Sequence, residues 1–323
     1  MSFLTVPHAD FLIKFPLFDR ARFSFSTNLL QPLLFLIKKL IKIYKASFLL
    51  TICFLIWVKN DAYGQKDSVK FKVIAFYTAK SDLAHISFVH EANNWFPKIA
   101  KNYNFTYDAT NNWENLNDEF LSHFQVIFFL DTRPEAPAQR KAFKKFMDHG
   151  GAWMGFHFSA FALTPSDFPQ DWNWYHDEFL GSGSYVSNTW RPTSAILKVE
   201  DRLSPATKDL PAIFKSAPNE WYRWSNDLPK NPDIKILLSI DSSSFPLGTG
   251  PKQNEIWHSG YYPVAWTNKN YKMVYMNMGH NDMDYENGTN ATLSHTFDSK
   301  IQDQFIINSL LWLGEASVNK QKN

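Results

Sequence analysis

Two histidines, His157 and His280, each stand where an apolar run of strand length ends. In a parallel sheet covered by helices, the carboxyl ends of the strands open into the crevice that takes ligands, so a polar residue there faces substrate more often than core. Imidazole titrates near neutrality, and either ring could act as general base, general acid or metal ligand. Glu220, in Asn219-Glu220-Trp221-Tyr222, supplies a carboxylate that could orient one ring or accept a hydrogen bond from a substrate hydroxyl. For the two imidazoles to act together they must lie within about one substrate width, about 10 Å. The plain structural alternative is that each histidine hydrogen-bonds a loop and that Glu220 is an ordinary charge at a strand start.

A second tier of groups falls on the same expected edge. His85 and His90 flank the start of the first helix, Asp131 ends the third strand, and Asp282 follows His280. His176 sits in an aromatic-rich insertion, and His258 precedes Tyr261-Tyr262-Pro263. The chain has 12 Trp and 13 Tyr, more than a core of this size requires. Trp172, Trp174, Trp190, Trp221 and Trp257 are candidate platforms, because an exposed indole face stacks on the apolar face of a sugar ring. No cofactor is expected. A divalent metal stays an open alternative, since His157, His280 and a carboxylate would fill three positions of an open zinc-type site, although no His-x-Glu-x-His or His-x-x-x-His spacing supports it.

The elements that must position these groups alternate. Residues 71–77 read as a buried strand, 87–101 as an amphipathic helix and 105–107 as a short strand, followed by a helix near 114–122. Residues 125–131 are apolar throughout, as suits a strand covered on both faces. Pro137 opens the next helix and Gly150 stops it, and the run ending at His157 is the fourth strand. This β-α-β-α-β-α-β order predicts an α/β fold with a doubly wound parallel sheet. Residues 160–192 break the rhythm as aromatic-rich insertions, with a short helix near 174–180. Strands at 195–199, 220–224, 234–240, 255–258, 264–267 and 272–277 predict an antiparallel extension, and a helix at about 300–313 closes the domain.

Charge excludes a nucleic-acid surface. The net charge is +2, but residues 1–64 carry +5, leaving the remainder near −3. The single cysteine, Cys53, excludes disulfides and thiolate metal sites from the rest of the chain. Lys38, Lys39, Lys42 and Lys45 precede the apolar run 46–58, and Ala62-Tyr63-Gly64 follows with small residues at cleavage spacing. Residues 38–64 therefore read as a signal peptide and the mature protein as periplasmic or secreted. The apolar run is short of the roughly 20 residues a spanning helix needs, so a membrane would be met only through an uncleaved signal segment. The remaining organisation is an N-terminal extension at 1–37, a linker at 65–70, one domain at 71–315 and a polar tail at 316–323.

The stretch Gly150-Gly151-Ala152-Trp153-Met154-Gly155-Phe156-His157, together with Pro263-Val264-Ala265-Trp266 and the later Gly279-His280, resembles the ThuA-like, or trehalose-utilisation, family over roughly residues 71–313. The resemblance implies a flavodoxin-like or class I glutamine amidotransferase-like fold. It also implies a role in using trehalose, related disaccharides or keto-sugars, with a sugar dehydrogenase as a pathway partner. The amidotransferases need a cysteine on the elbow after this strand, where this chain has Gly155-Phe156-His157-Phe158, so glutaminase chemistry is excluded. The expected activity is general acid–base work on a glycoside or keto-sugar, with His157 and His280 moving protons and Glu220 orienting one of them. The alternative is a non-catalytic carbohydrate-binding or accessory subunit.

Overall fold

The computed structural model describes residues 30–63, 69–80, 82–162, 172–245, 252 and 260–321. The chain divides into two units, residues 1–66 and 67–323. In the first, helix α1 spans Leu30–Tyr63. Among the described residues no helix is long and apolar enough to cross a membrane.

The second unit begins with β1 (Lys72–Phe76), α2 (Leu83–Tyr103), β2 (Thr106–Thr110), α3 (Asp118–Leu121), β3 (Val126–Phe129), α4 (Pro137–Asp148) and β4 (Ala152–Phe156). It continues through β5 (Tyr185–Asn188), β6 (Ile196–Val199), β7 (Ile213–Lys215), β8 (Tyr222–Trp224), β9 (Ile234–Ile240), β10 (Tyr262–Asn268) and β11 (Lys272–Met276). It closes with β12 (Asp282–Met283), β13 (Thr292–Ser294) and α5 (Lys300–Gln321). Nine strands form one sheet in the order β2-β1-β3-β4-β11-β10-β9-β6-β7. The first five pair in parallel, and the other four extend the sheet antiparallel. The α/β class and the antiparallel extension expected from the sequence are both present.

Strand period explains why the central runs are apolar without alternation. In β4, Ala152, Met154 and Phe156 face the layer formed by α2 and α5, while Trp153 faces the layer that holds α4 and Tyr175. Helix α2 buries a stripe of Ala84, His85, Phe88, Val89, Ala92, Phe96 and Ile99, spaced three and four apart as a helix face requires. Because α2 follows the end of β1, the start of that stripe lies at the carboxyl edge of the sheet, and there the stripe begins with a histidine. Local departures from expectation are small. Helix α3 is one turn, preceded by a 3₁₀ turn at Trp113–Asn115, and the 174–180 segment is a π-helical turn. Strand β8 leaves the main sheet to pair with β5 in a separate ribbon. The strand expected at 255–258 lies outside the described residues.

One ion cluster away from the sheet edge sets a pH dependence. Burial, then the charges of Glu91 and Asp298, push the Asp303 carboxyl up to about 7. A folded value above the unfolded one means that this group's contribution to stability is fully present below about pH 4 and is lost as pH rises through 7. Asp303 is only part-buried, so the cost is expected near 1 kcal/mol rather than the several a full shift implies. Asp303→Asn should raise the urea midpoint at pH 8 and change it much less at pH 5. Equal effects at both pH values would refute this reading.

Candidate functional site

His157 opens a 3₁₀ turn directly after β4, with φ at 37°, a conformation that costs a non-glycine residue about 1–3 kcal/mol. Its neighbours hold it there. The Tyr275 hydroxyl donates to the His157 carbonyl at 2.9 Å, and the ring lies over Tyr222 with centroids 4.0 Å apart. His280 is reached from β11 through Gly279, whose φ of 128° strains any residue with a Cβ and whose clearance against Phe88 and Phe156 is tight. His85 arrives from the first turn of α2, which Asp82 caps by accepting from the Ala84 amide at 2.8 Å.

Three imidazoles thus converge. The ring centroids of His157 and His280 are 5.2 Å apart, those of His85 and His157 5.3 Å, and those of His85 and His280 4.9 Å. Glu220 joins them, with Oε2 at 3.3 Å from His157 Nε2 and 3.6 Å from His280 Nε2. His157 is fully buried, while His85, Glu220 and His280 keep 7%, 6% and 3% of their surface.

Burial and the neighbouring rings decide the protonation. Burial, then His157, pushes His85 down to about 3, and burial, then His85, pushes His280 down to about 4. Burial and His280 hold His157 well below its ordinary value. All three rings are neutral at pH 7. Burial, followed by the charge of Asp82, raises Glu220, with His280 and Lys252 opposing. Asp82 itself stays low, because His85, His280 and the helix amides outweigh the upward pull of burial.

The tautomer of His157 follows from one amide. Asn277 Oδ1 accepts from the Tyr222 backbone N–H at 2.6 Å, a group that can only donate. The Asn277 Nδ2 group therefore faces His157 Nδ1, at 2.9 Å, and donates to it. The ring proton must then sit on Nε2, the atom beside Glu220. The donor atoms of His85, His157 and His280 lie within 4.8 Å of one another, so the trio could hold a metal ion. To ligate through Nε2, His157 would have to move its proton to Nδ1, against the Asn277 amide.

The other residues singled out in the sequence are dispersed. Asp131 accepts from Thr78 N, Thr78 Oγ1 and Ala79 N at 2.8, 2.9 and 2.6 Å, and pins the loop after β1. Trp172 and Trp174 pack beside Phe143 on the α4 face, with Arg140 and Lys144 over their rings. His176 is buried against Tyr175, and His90 is exposed on α2. Trp221 has no exposed surface, and its Nε1 donates to the Thr193 carbonyl at 2.9 Å, which leaves no ring face for a sugar. Asp282 is half-buried beside the charge of Arg191. His258 and Trp257 lie outside the described residues. Sequence reasoning passed over Asp82, Tyr222 and Asn277. Asn277 did carry a signal, as an amide between two methionines where an apolar strand ends.

A family model described as ThuA, trehalose utilisation, matches residues 72–295. Among solved structures, a protein of Bacteroides uniformis described as ThuA-like is 31% identical, with a TM-score of 0.66, over 76% of this chain and 92% of that one. A second ThuA-like protein, from Parabacteroides merdae, is 16% identical with a TM-score of 0.53, over 76% and 90% of the two chains, and shares the fold. Comparison with curated proteins gives no match.

Proposed function

Since the chain belongs to the ThuA (trehalose utilisation) family, we propose that it binds a saccharide or keto-sugar over the histidine cluster and that Glu220 moves a proton on it. The observation that carries this reading is the Nε2–H of His157, set by Asn277, left without a hydrogen-bond partner and 3.3 Å from a buried carboxylate oxygen. A carboxylate raised by burial is a stronger base than a free one, whereas imidazoles held at about 3 and about 4 are weak bases. The roles anticipated from the sequence are therefore exchanged: Glu220 carries the proton and the rings orient it.

On a keto-sugar, Glu220 takes the proton from the carbon beside the carbonyl. The C–H electron pair becomes the enolate double bond, and a neutral ring N–H holds the enolate oxygen. Return of the proton to the opposite face of that carbon completes an epimerisation; departure of a β-oxygen, which takes the proton from the Glu220 carboxyl, completes an elimination. A sugar dehydrogenase is the class of enzyme that would supply the ketone. Export to the periplasm or beyond belongs to the same reading, supported by the lysine-led apolar run at 38–58.

Incubating the protein with keto-disaccharides in deuterated water tests the proposal. Enzyme-dependent exchange of the proton beside the carbonyl is the expected result. Binding of sugars without exchange would establish the accessory role instead. One observation favours a second reading, metal-assisted chemistry: the convergence of three buried histidines. A chelator separates the two readings. Exchange is expected to survive dialysis against it, and loss of exchange restored by zinc would select the metal.

A further inference from the structure

We propose that the cleft of about 640 Å³ lined by Trp190, Arg191, Ser244 and Lys252 is the subsite for the second ring of a disaccharide whose first ring lies at Glu220. The inference rests on the saccharide reading above.

Its wall and the carboxylate are parts of one backbone arrangement. Thr189 N donates to the Trp221 carbonyl at 2.9 Å, Trp221 N donates to Thr189 Oγ1 at 2.9 Å, and Thr193 N donates to the Asn219 carbonyl at 3.0 Å. Glu220 is thereby bracketed by residues locked to the segment that carries Trp190. The Trp190 side chain is 45% exposed, a large indole surface left open on the segment bonded to both neighbours of Glu220.

Tyr285 joins the cleft to the centre. Its ring meets Trp190 edge-on with centroids 4.9 Å apart. Its hydroxyl is buried without a hydrogen-bond partner, and after burial itself the charges of Asp82 and Glu220 are what raise its pKa. A phenol so placed keeps an unused donor, touches the indole of the cleft and feels the charge of the carboxylate. On the far side, Lys252 Nζ donates to Asn188 Oδ1 at 2.7 Å, and its charge reaches Glu220.

The ligand class follows from this mixture. Arg191 is already paired with Glu286 at 2.6 Å, so the cleft makes little demand for an anion. An open indole face ringed by fixed polar atoms suits a neutral pyranose, which has an apolar face and a hydroxylated rim. Of the tryptophans named from the sequence, Trp190 combines an exposed side chain with a backbone segment bonded to the residues on either side of Glu220.

Trehalose and methyl α-glucoside serve as probes, titrated calorimetrically into the parent protein and the W190A and W190F variants. The parent should prefer the disaccharide. W190A should weaken trehalose by about tenfold and the monosaccharide by less than about twofold, and W190F should recover most of the loss. Equal weakening of both probes, no weakening of either, or no binding of either by the parent overturns the subsite. Exchange that needs Glu220 but not Trp190 would leave the catalytic reading standing and remove this one. Trp190-dependent binding without exchange would do the reverse. Melting curves of each variant show that the fold is retained.

Discussion

Glu220→Gln is expected to lower proton exchange or turnover by about 10²–10⁴-fold while leaving the protein at least as stable as the parent. The amide keeps the size of the carboxylate and an oxygen beside His157 Nε2, so the surroundings have no cause to rearrange. What is lost is the ionisable group. Because burial raises the carboxyl in the folded state, ionising it at pH 7 works against folding, and glutamine removes that cost. A variant that melts higher and turns over far less is the signature of a group retained for chemistry at the expense of stability. The pH profile gives a second reading. A base works when ionised, so the parent's rate should rise through the elevated Glu220 value, above its usual 4.5. The histidines add no limb between pH 5 and 8, since they are held at about 3, about 4 and well below 6.5. A rising limb near neutrality that disappears in a His280 variant would transfer the role to the imidazole.

The second large effect concerns Gly155. A Cβ built there would come within 2.0 Å of the Trp153 indole and 2.8 Å of Ser159 Oγ. The indole has no exposed surface and packs edge-on against Phe129, Tyr175 and Phe179, so it has nowhere to move. Gly155→Val should cost about 3 kcal/mol, which for a domain of this size lowers the melting temperature by roughly 6–12 °C. Activity should fall further than stability, because the displaced strand end is the one that presents His157. Gly151→Ala is the control. There the overlap is with the part-exposed Phe146 ring, which can swing toward solvent, and the loss should be well under half as large. Similar losses in the two variants would show that the clearance around Trp153 is not what constrains this strand.

The sheet was legible because its strands are covered on both faces. Uninterrupted apolar runs such as 126–129 and 152–156 leave little ambiguity, and Pro137 and Gly150 mark the helix between two of them. Histidines at the ends of such runs pointed correctly to one shared edge. Tryptophans were less informative, since Trp221 and Trp190 differ by nothing local: one is locked into the interior by a hydrogen bond to Thr193, and the other is left open. Asp131 illustrates the same limit. It stands at a strand end just as His157 does, yet its oxygens are consumed by the Thr78–Ala79 loop. What a side chain is free to do depends on the backbone donors that distant segments bring to it. The deciding contact here, Tyr222 N–H to Asn277, joins residues far apart in the chain.

The order of the strands also governs when the site can exist during synthesis. Strand β4 pairs with β3, which precedes it closely, but its other edge waits for β11, which aligns Lys272 with Ala152. Until the carboxyl-terminal third of the polypeptide has emerged, that edge offers unsatisfied amides and carbonyls flanked by Trp153 and Phe156, a template for intermolecular pairing. Parallel pairing across so long a separation is slow to form. Assembly of the histidine cluster must therefore be among the last events on the folding route, and truncated or prematurely released chains should be removed by aggregation or proteolysis rather than persist as partly competent protein.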